Sequence, residues 1–347
     1  MNPAQKQKQI FEPLKLTNLT LKNRILRSAT AEAIATLDGS IDEKAYSRYE
    51  ELSKGGVGAI ITGFTSVASN DGKSEGIMRL SDDKLIQQYK QLTDIVHKDN
   101  CPILVQLALG AFYNNDGVEI NPDDMTLEDI KKVVDLFISA AERAKKANFD
   151  GIQIHAAHFF FLSKFISPLK NHRNDEYGGS TEKRSKILVD ILTGIKKLNL
   201  GLHISIKINS NDFEEGGNDE NECIKICKIL EKEGIDSIEI SGNGSSRMKI
   251  KPHVNEAYFL DCAKKVAEEV NIPIALVGGI RSRKTMQNIL DSTKIQIISL
   301  SRPLNCDPEF PKKMESGDIE DSRCIHVMDA INRIVINVWY LKKEIIK

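Results

Sequence analysis

The chain has 347 residues, 41% hydrophobic and 28% charged, with a formal net charge of −1 at neutral pH. That balance describes a globular protein with apolar side chains enough for a large core, and it argues against nucleic acid or an anionic membrane as the main partner. The start, MNPAQKQKQIFEP, carries no apolar signal core and no apolar run is long enough to span a bilayer, so the expected location is cytoplasmic, with the six cysteines, which follow no framework spacing, as reduced thiols.

Residues 1–10 read as a polar arm. FEPLKLTNLTLKNRI then alternates apolar and polar residues around Thr-Asn and Lys-Asn turns, predicting a small hairpin that closes the bottom of a domain. A strand over 24–28 and a helix over 42–54 follow, the helix stopped by Gly55-Gly56. Thereafter short apolar runs alternate with amphipathic segments. Further strands are expected at 59–62, 103–107, 151–154, 204–208, 237–240, 274–277 and 296–300, and helices near 82–97, 127–147, 182–199, 220–233, 256–269 and 284–290. A last helix is expected over 322–343, its apolar face suited to covering the domain or to a contact between copies in a homo-oligomer.

Eight βα units without linker or repeat predict one α/β domain over residues 11–347, a single (β/α)8 TIM barrel with an N-terminal hairpin and a C-terminal helix. A doubly wound sheet is the alternative. Small, polar or basic residues follow strand after strand, at Ala29-Thr30, Gly63, Gln106, His155, Lys207 to Asn209, Ser241-Gly242, Gly278-Gly279 and Ser301-Arg302. An open sheet would gather them at one switch point, whereas here they form a ring, as at a barrel mouth.

The stretch FDGIQIHAAHFFFLSKFISPLKNHRNDEYGGSTEKR puts His155 and His158 just past the end of a buried strand, where two imidazoles can donate hydrogen bonds to a ligand. A zinc pair and a pair of structural histidines are the alternatives; against zinc, no Cys or carboxylate stands nearby at ligand spacing. LVGGIRS and SLSRPL follow the seventh and eighth strands, where barrels often hold a phosphate: Gly278 and Gly279 allow close approach, and Arg302 offers a bidentate fork. Gln106 can satisfy a donor and an acceptor together, and Lys207 brings a cation to the end of the fifth strand; interior layers of the barrel are the plainer reading of both. No G-x-G-x-x-G follows any strand, so a separate dinucleotide site is not expected.

HAAH followed by SPLKNHRNDEYGGSTEKR resembles the old yellow enzyme family of FMN-dependent ene-reductases, in particular its bacterial 2,4-dienoyl-CoA reductase and NADH:flavin oxidoreductase branch, in a long ungapped match. The resemblance implies FMN as cofactor, NADH or NADPH as reductant, no metal, and ping-pong hydride transfer to a small-molecule acceptor with an electron-poor C=C or similar group. It implies His155 and His158 on the acceptor carbonyl, and Ser28, Ala29, Thr30 and Ala31 beside the flavin. Phe64 then falls where the family packs a small residue near the ring, Gln106 and Lys207 meet its polar edge, and Gly278, Gly279, Ser301 and Arg302 form the phosphate site.

The chain departs from the family at several positions. Phe160 stands where a tyrosine usually delivers a proton to the substrate, and a phenyl ring cannot donate one, which leaves water or a residue such as Tyr113 in the neighbouring loop. Lys207 replaces the usual arginine, keeping the charge and losing the planar fork. LALGAFY replaces the histidine and arginine expected after Gln106, and the loop over 109–124 reads as shortened. Only Cys324 stands where larger relatives place iron–sulfur cysteines, so no cluster is expected. A flavin reductase or NAD(P)H oxidase acting on quinones or oxygen, and a flavin-binding pseudoenzyme, are the alternative functions.

Overall fold

The structure, a computed structural model, describes residues 8–30, 32–71, 76–114, 116–243 and 250–324. Strands β1 (Leu14–Leu16) and β2 (Leu19–Leu21) form an antiparallel hairpin whose turn uses Asn18 in the left-handed region, at φ 55°. Its leucines alternate with exposed residues and pack on Leu26, Ile61, Leu104, Ala275 and Ile297, so the hairpin plugs the barrel bottom as its alternation predicts. Ile10 is buried against the outer core, and Lys8 Nζ donates to Thr293 O at 2.7 Å and Ile295 O at 2.6 Å.

The remaining strands are β3 (Ile25–Arg27), β4 (Ala59–Ser66), β5 (Met78–Arg79), β6 (Ile103–Ala108), β7 (Phe112–Tyr113), β8 (Glu119–Ile120), β9 (Gly151–Ala156), β10 (His203–Asn209), β11 (Ser237–Ser241), β12 (Ile274–Leu276) and β13 (Ile297–Leu300). Eight of them run parallel in the order β3, β4, β6, β9, β10, β11, β12, β13, and β13 pairs back onto β3 with Leu300 opposite Arg27. This closure makes a (β/α)8 barrel and rules out the doubly wound sheet, which keeps two edges. All eight barrel strands fall where expected, with ends shifted by a few residues. Strand β5 lies along β4, and β7 with β8 forms an antiparallel hairpin inside the loop that reads as shortened.

The helices are α1 (Glu43–Lys54), α2 (Ile86–His97), α3 (Leu127–Lys146), α4 (Phe161–Ile166), α5 (Thr181–Arg184), α6 (Lys186–Lys197), α7 (Glu220–Lys232), α8 (Leu260–Glu269), α9 (Arg283–Ser292), α10 (Arg302–Cys306) and α11 (Phe310–Ser316). Their starts follow local chemistry: Asp42 and Asp219 accept backbone hydrogen bonds at the N-caps of α1 and α7, and Thr126 with Asp129 closes a capping box on α3. The helix expected over 182–199 is instead two, broken at Ser185, where Arg184 turns inward to Ile166 O at 2.8 Å and Glu222 at 3.0 Å. Helices α4, α10 and α11 have no counterpart in the sequence reading, being too short to show a periodicity. Of the expected C-terminal helix, residues 322–324 are not helical, and the rest lies outside the described residues. No helix among the described residues is long and apolar enough to cross a membrane.

Because the leucine plug fills the barrel bottom, truncating it should be felt there. We expect Leu21→Ala, at a side chain only 1% exposed, to lower the unfolding free energy by about 2–5 kcal/mol in denaturant titrations. Lys15→Ala, on the exposed side of the same hairpin, should shift it by no more than about 0.5 kcal/mol.

Candidate active site

Two-residue alternation decides which side chains enter the barrel. In β9 Gln153 and His155 alternate with Ile152 and Ile154; in β10 Ser205 and Lys207 alternate with Ile204, Ile206 and Ile208; in β11 Ser237, Glu239 and Ser241 alternate with Ile238 and Ile240. The isoleucines join the core beneath the helices, so the polar set turns to the axis. Parallel register then lines the set up: Lys207 lies opposite His155 on one side and Glu239 on the other, and Gln153 lies opposite Gln106.

These side chains form one hydrogen-bonded chain. Lys207 Nζ donates to Ser28 Oγ at 2.8 Å and pairs with Glu239 Oε2 at 3.2 Å. Ser28 Oγ donates to Glu239 Oε1 at 2.7 Å, Gln153 Nε2 to Glu239 Oε2 at 2.9 Å, and Gln106 Nε2 to Gln153 Oε1 at 2.8 Å. All five residues are buried. Burial alone would raise the Glu239 carboxyl, but Lys207 and the hydrogen bonds from Ser28 and Gln153 outweigh it and hold the group below the ordinary glutamate value. The amide nitrogen of Gln106 is thus engaged inside the barrel, and its carbonyl oxygen is the end left for a ligand.

His155 belongs to β9 itself rather than lying past its end, because the strand runs on to Ala156 beside Lys207 and Ile208. Its Nδ1 is buried and has no hydrogen-bond partner among the described residues. Burial, then His158, then Lys207 push its imidazole well below the usual value. His158 does lie past the strand, at φ 64°, with its N–H donating to Asn209 Oδ1 at 3.0 Å and its Nε2 2.8 Å from Ser241 Oγ. Surrounding protein and Lys207 push it down to about 3. Its ring nevertheless opens to water at the mouth, which weakens the desolvation behind that shift but leaves its direction. Both rings are therefore neutral near pH 7. The two ring centroids are 5.2 Å apart.

Aromatic side chains frame the histidines. A register shift in β4 between Ile61 and Phe64 marks a bulge, and Phe64 lies 5.0 Å from Phe160 and 6.2 Å from His155, ring to ring. Phe160, at the start of α4, lies 5.1 Å from His155. Tyr113 lines a lateral cavity of about 430 Å³ together with Leu109, Phe112 and Arg143. The loop after β3 is tied down by Glu32, which takes Arg27 and, at 2.9 Å, the Tyr49 hydroxyl; that hydroxyl in turn accepts from Gly63 N at 2.8 Å. Thr30 Oγ1 and Ser301 Oγ meet at 2.8 Å, joining the loops after β3 and β13, with Ala29 half-buried beside them. Ala31 lies outside the described residues.

Gly278 and Gly279, after β12, take φ of 138° and 72°, and a Cβ would strike the Phe259 ring at 2.9 Å from the first and the Tyr258 ring at 2.6 Å from the second. Arg302 donates to Tyr258 Oη at 3.3 Å. The start of α9 is already taken, since Glu256 accepts from Ser282 N at 2.9 Å and from Arg281 N. An anion at this end would therefore meet the glycines and Arg302 rather than that helix start. No group of three His, Cys, Asp or Glu able to hold a metal occurs among the described residues.

Gln153 and Glu239 escape the sequence reading, whereas Asn209 and Ser241 enter it only as polar residues of the mouth, without a partner. The signal for them is present in the two-residue alternation of IQIH, KIN and SIEIS. Read as apolar strand runs, these segments hide the polar half of their pattern.

A family model described as the NADH:flavin oxidoreductase / NADH oxidase family matches residues 9–321. The chain is 30% identical over 339 residues to an NADH oxidase of Thermoanaerobacter brockii, covering 91% of this chain and 52% of that protein. It is 30% identical over 319 residues to an NADPH dehydrogenase of Bacillus velezensis, covering 88% of this chain and 94% of that one. The chain thus spans about half the length of the first relative and nearly all of the second. An old yellow enzyme homologue from Zymomonas mobilis shares the fold at a TM-score of 0.75 and 23% identity, over 90% of this chain and 94% of its own.

The depressed His155 value has a consequence for stability. The unfolded chain takes up a proton on this imidazole as pH falls through about 6.5, while the folded chain does not. The unfolded state then binds more protons, so stability falls on acidification below that point, by at most about 1.4 kcal/mol per pH unit for this group. We expect His155→Asn to flatten the loss of stability between about pH 6.5 and 5, measured by denaturant titration at each pH.

Proposed function

We propose, from the premise that this chain belongs to the NADH:flavin oxidoreductase / NADH oxidase family, that it is an FMN-dependent oxidoreductase taking hydride from NAD(P)H and passing it to a small acceptor with an electron-poor C=C. FMN is the cofactor of this family and NAD(P)H its reductant. The observation that carries the reading is the meeting, at one barrel mouth, of a buried lysine, an amide bonded through its nitrogen to Gln153 and two neutral imidazoles, one whose Nδ1 has no partner among the described residues.

The residues present fit the cofactor. Gly278 and Gly279 hold the strand end in positive-φ backbone that admits no Cβ beside Tyr258 and Phe259, and Ser301 and Arg302, bonded to Thr30 and Tyr258, bring to this end the hydroxyl and guanidinium donors that a phosphate takes. Ser28, Ala29, Thr30, Phe64, Gln106 and Lys207 would hold the ring. When bound, FMN supplies the hydride exchange that no side chain can perform. Lys207 sets a positive charge where negative charge develops on reduction. His155 and His158, being neutral, donate N–H hydrogen bonds to the acceptor carbonyl and polarise it without surrendering a proton. Phe160 offers no acid, so water, which reaches His158, delivers the proton to carbon. With no G-x-G-x-x-G after any strand of this chain to offer a separate dinucleotide site, reductant and acceptor take turns at one site, in ping-pong order.

Phe160 also favours a second reading, a flavin reductase or NAD(P)H oxidase, because quinones and oxygen need no proton on carbon. Anaerobic titration of the FMN-loaded protein tests both readings at their common root: NADH or NADPH should bleach the visible flavin band. A protein that takes up no FMN, or whose bound flavin neither nucleotide reduces, overturns them together.

Stopped-flow measurement of the two half-reactions separates them. With enones, flavin reduction should be fast and reoxidation slow in the native protein, and Phe160→Tyr should accelerate reoxidation by up to about 10²-fold. Fast enone turnover unaffected by Phe160→Tyr would refute a slow, unpositioned proton supply and point to another donor such as Tyr113 or an ordered water. Activity confined to quinones or oxygen would select the oxidase reading.

A further inference from the structure

We propose that Glu239 is a positioning residue that lowers the reduction potential of the flavin at this mouth, acting through Lys207 and through the Gln153–Gln106 pair. The inference rests on the flavin reading above and says what tunes that site. Three features of Glu239 lead to it. Its carboxylate is buried and held in the charged form, with Lys207 3.2 Å away. Among the described residues Lys207 Nζ contacts Glu239 and Ser28, and Ser28 is itself bound to Glu239, so the lysine is tied to the carboxylate directly and through the hydroxyl. Finally, Glu239 ends the amide chain that begins at Gln106.

A lone buried cation beside the flavin would favour its reduced, more negative state and raise the potential. A cation matched by a carboxylate at 3.2 Å presents a dipole instead, whose field falls off faster with distance. Glu239 therefore removes much of the stabilisation that Lys207 would give and keeps the flavin a stronger electron donor. An ion pair buried this way is weak evidence for stability, because apolar side chains of equal volume often serve as well. Its effect lies in the field it sets up. Glu239 has a second action, since an ionised carboxylate only accepts: it draws Gln153 Nε2, leaves Gln153 Oε1 to accept from Gln106 Nε2, and so turns the Gln106 carbonyl outward.

The test is the midpoint potential of FMN in the reconstituted full-length protein, measured by dye equilibration. Glu239→Gln should raise it by at least the equivalent of tenfold in the reduction equilibrium, about 30 mV for a two-electron couple. A potential that is unmoved or lowered overturns the inference. Should Glu239→Gln fail to accumulate as folded protein because Lys207 is left unpaired, Glu239→Asp, which keeps a carboxylate but draws it back from Lys207, decides. Its potential should lie above the native value, and an unmoved value would overturn the role of Glu239. A native protein that takes up no FMN overturns the flavin reading itself, whereas an FMN-loaded protein whose potential ignores Glu239 overturns this inference alone.

Discussion

Hydrogen bonding of β13 to β3, and of β3 to β4, is the constraint on which the rest depends. A closed parallel sheet has no edge to protect, and every strand must end on the same ring. Thr30 and Ser301, 271 positions apart, are thereby brought within hydrogen-bonding distance. The two ends of the barrel then diverge in chemistry. Leucines of the hairpin seal one, and amide, carboxylate, lysine and imidazole groups fill the other.

Closure also explains why the upper layer can hold charge. Taking an isolated ion out of water costs several kcal/mol even after the protein relaxes, so a buried Lys207 needs a partner close by. Register supplies it, because Glu239 sits directly beside Lys207 on the neighbouring strand. His155 flanks the same lysine on the other side and stays neutral under that field and its own burial. Charge pairing, imidazole neutrality and the orientation of Gln106 are thus one arrangement, set by the strand register.

The mouth is shaped by local backbone irregularity rather than by regular elements. Two successive residues, His158 at φ 64° and Phe159 at φ 54°, stand in the left-handed region that disfavours side chains, held by Asn209 and Ser163. This turn carries Phe160 to the start of α4 and against both His155 and Phe64. The ring occupies the place beside the imidazoles without bringing an acidic hydrogen, which makes the proton supply the feature that separates an ene-reductase from an oxidase.

Much of this was legible in the residues alone. Alternating apolar runs and amphipathic segments determined the count and order of the barrel strands, since period and spacing are properties of the local chain. The run from His155 to Arg184 likewise determined the family, the match being long and continuous. Tertiary structure decided what depends on neighbours from other strands. That Lys207 faces a carboxylate, that Gln153 links Gln106 to it, and that Ser241 engages His158 follow from inter-strand register, which no single strand encodes. The break at Ser185 belongs with them, for Arg184 meets partners at Ile166 and Glu222 that lie on other elements. Local pattern sets which residues can face inward, and only closure of the barrel sets which of them meet.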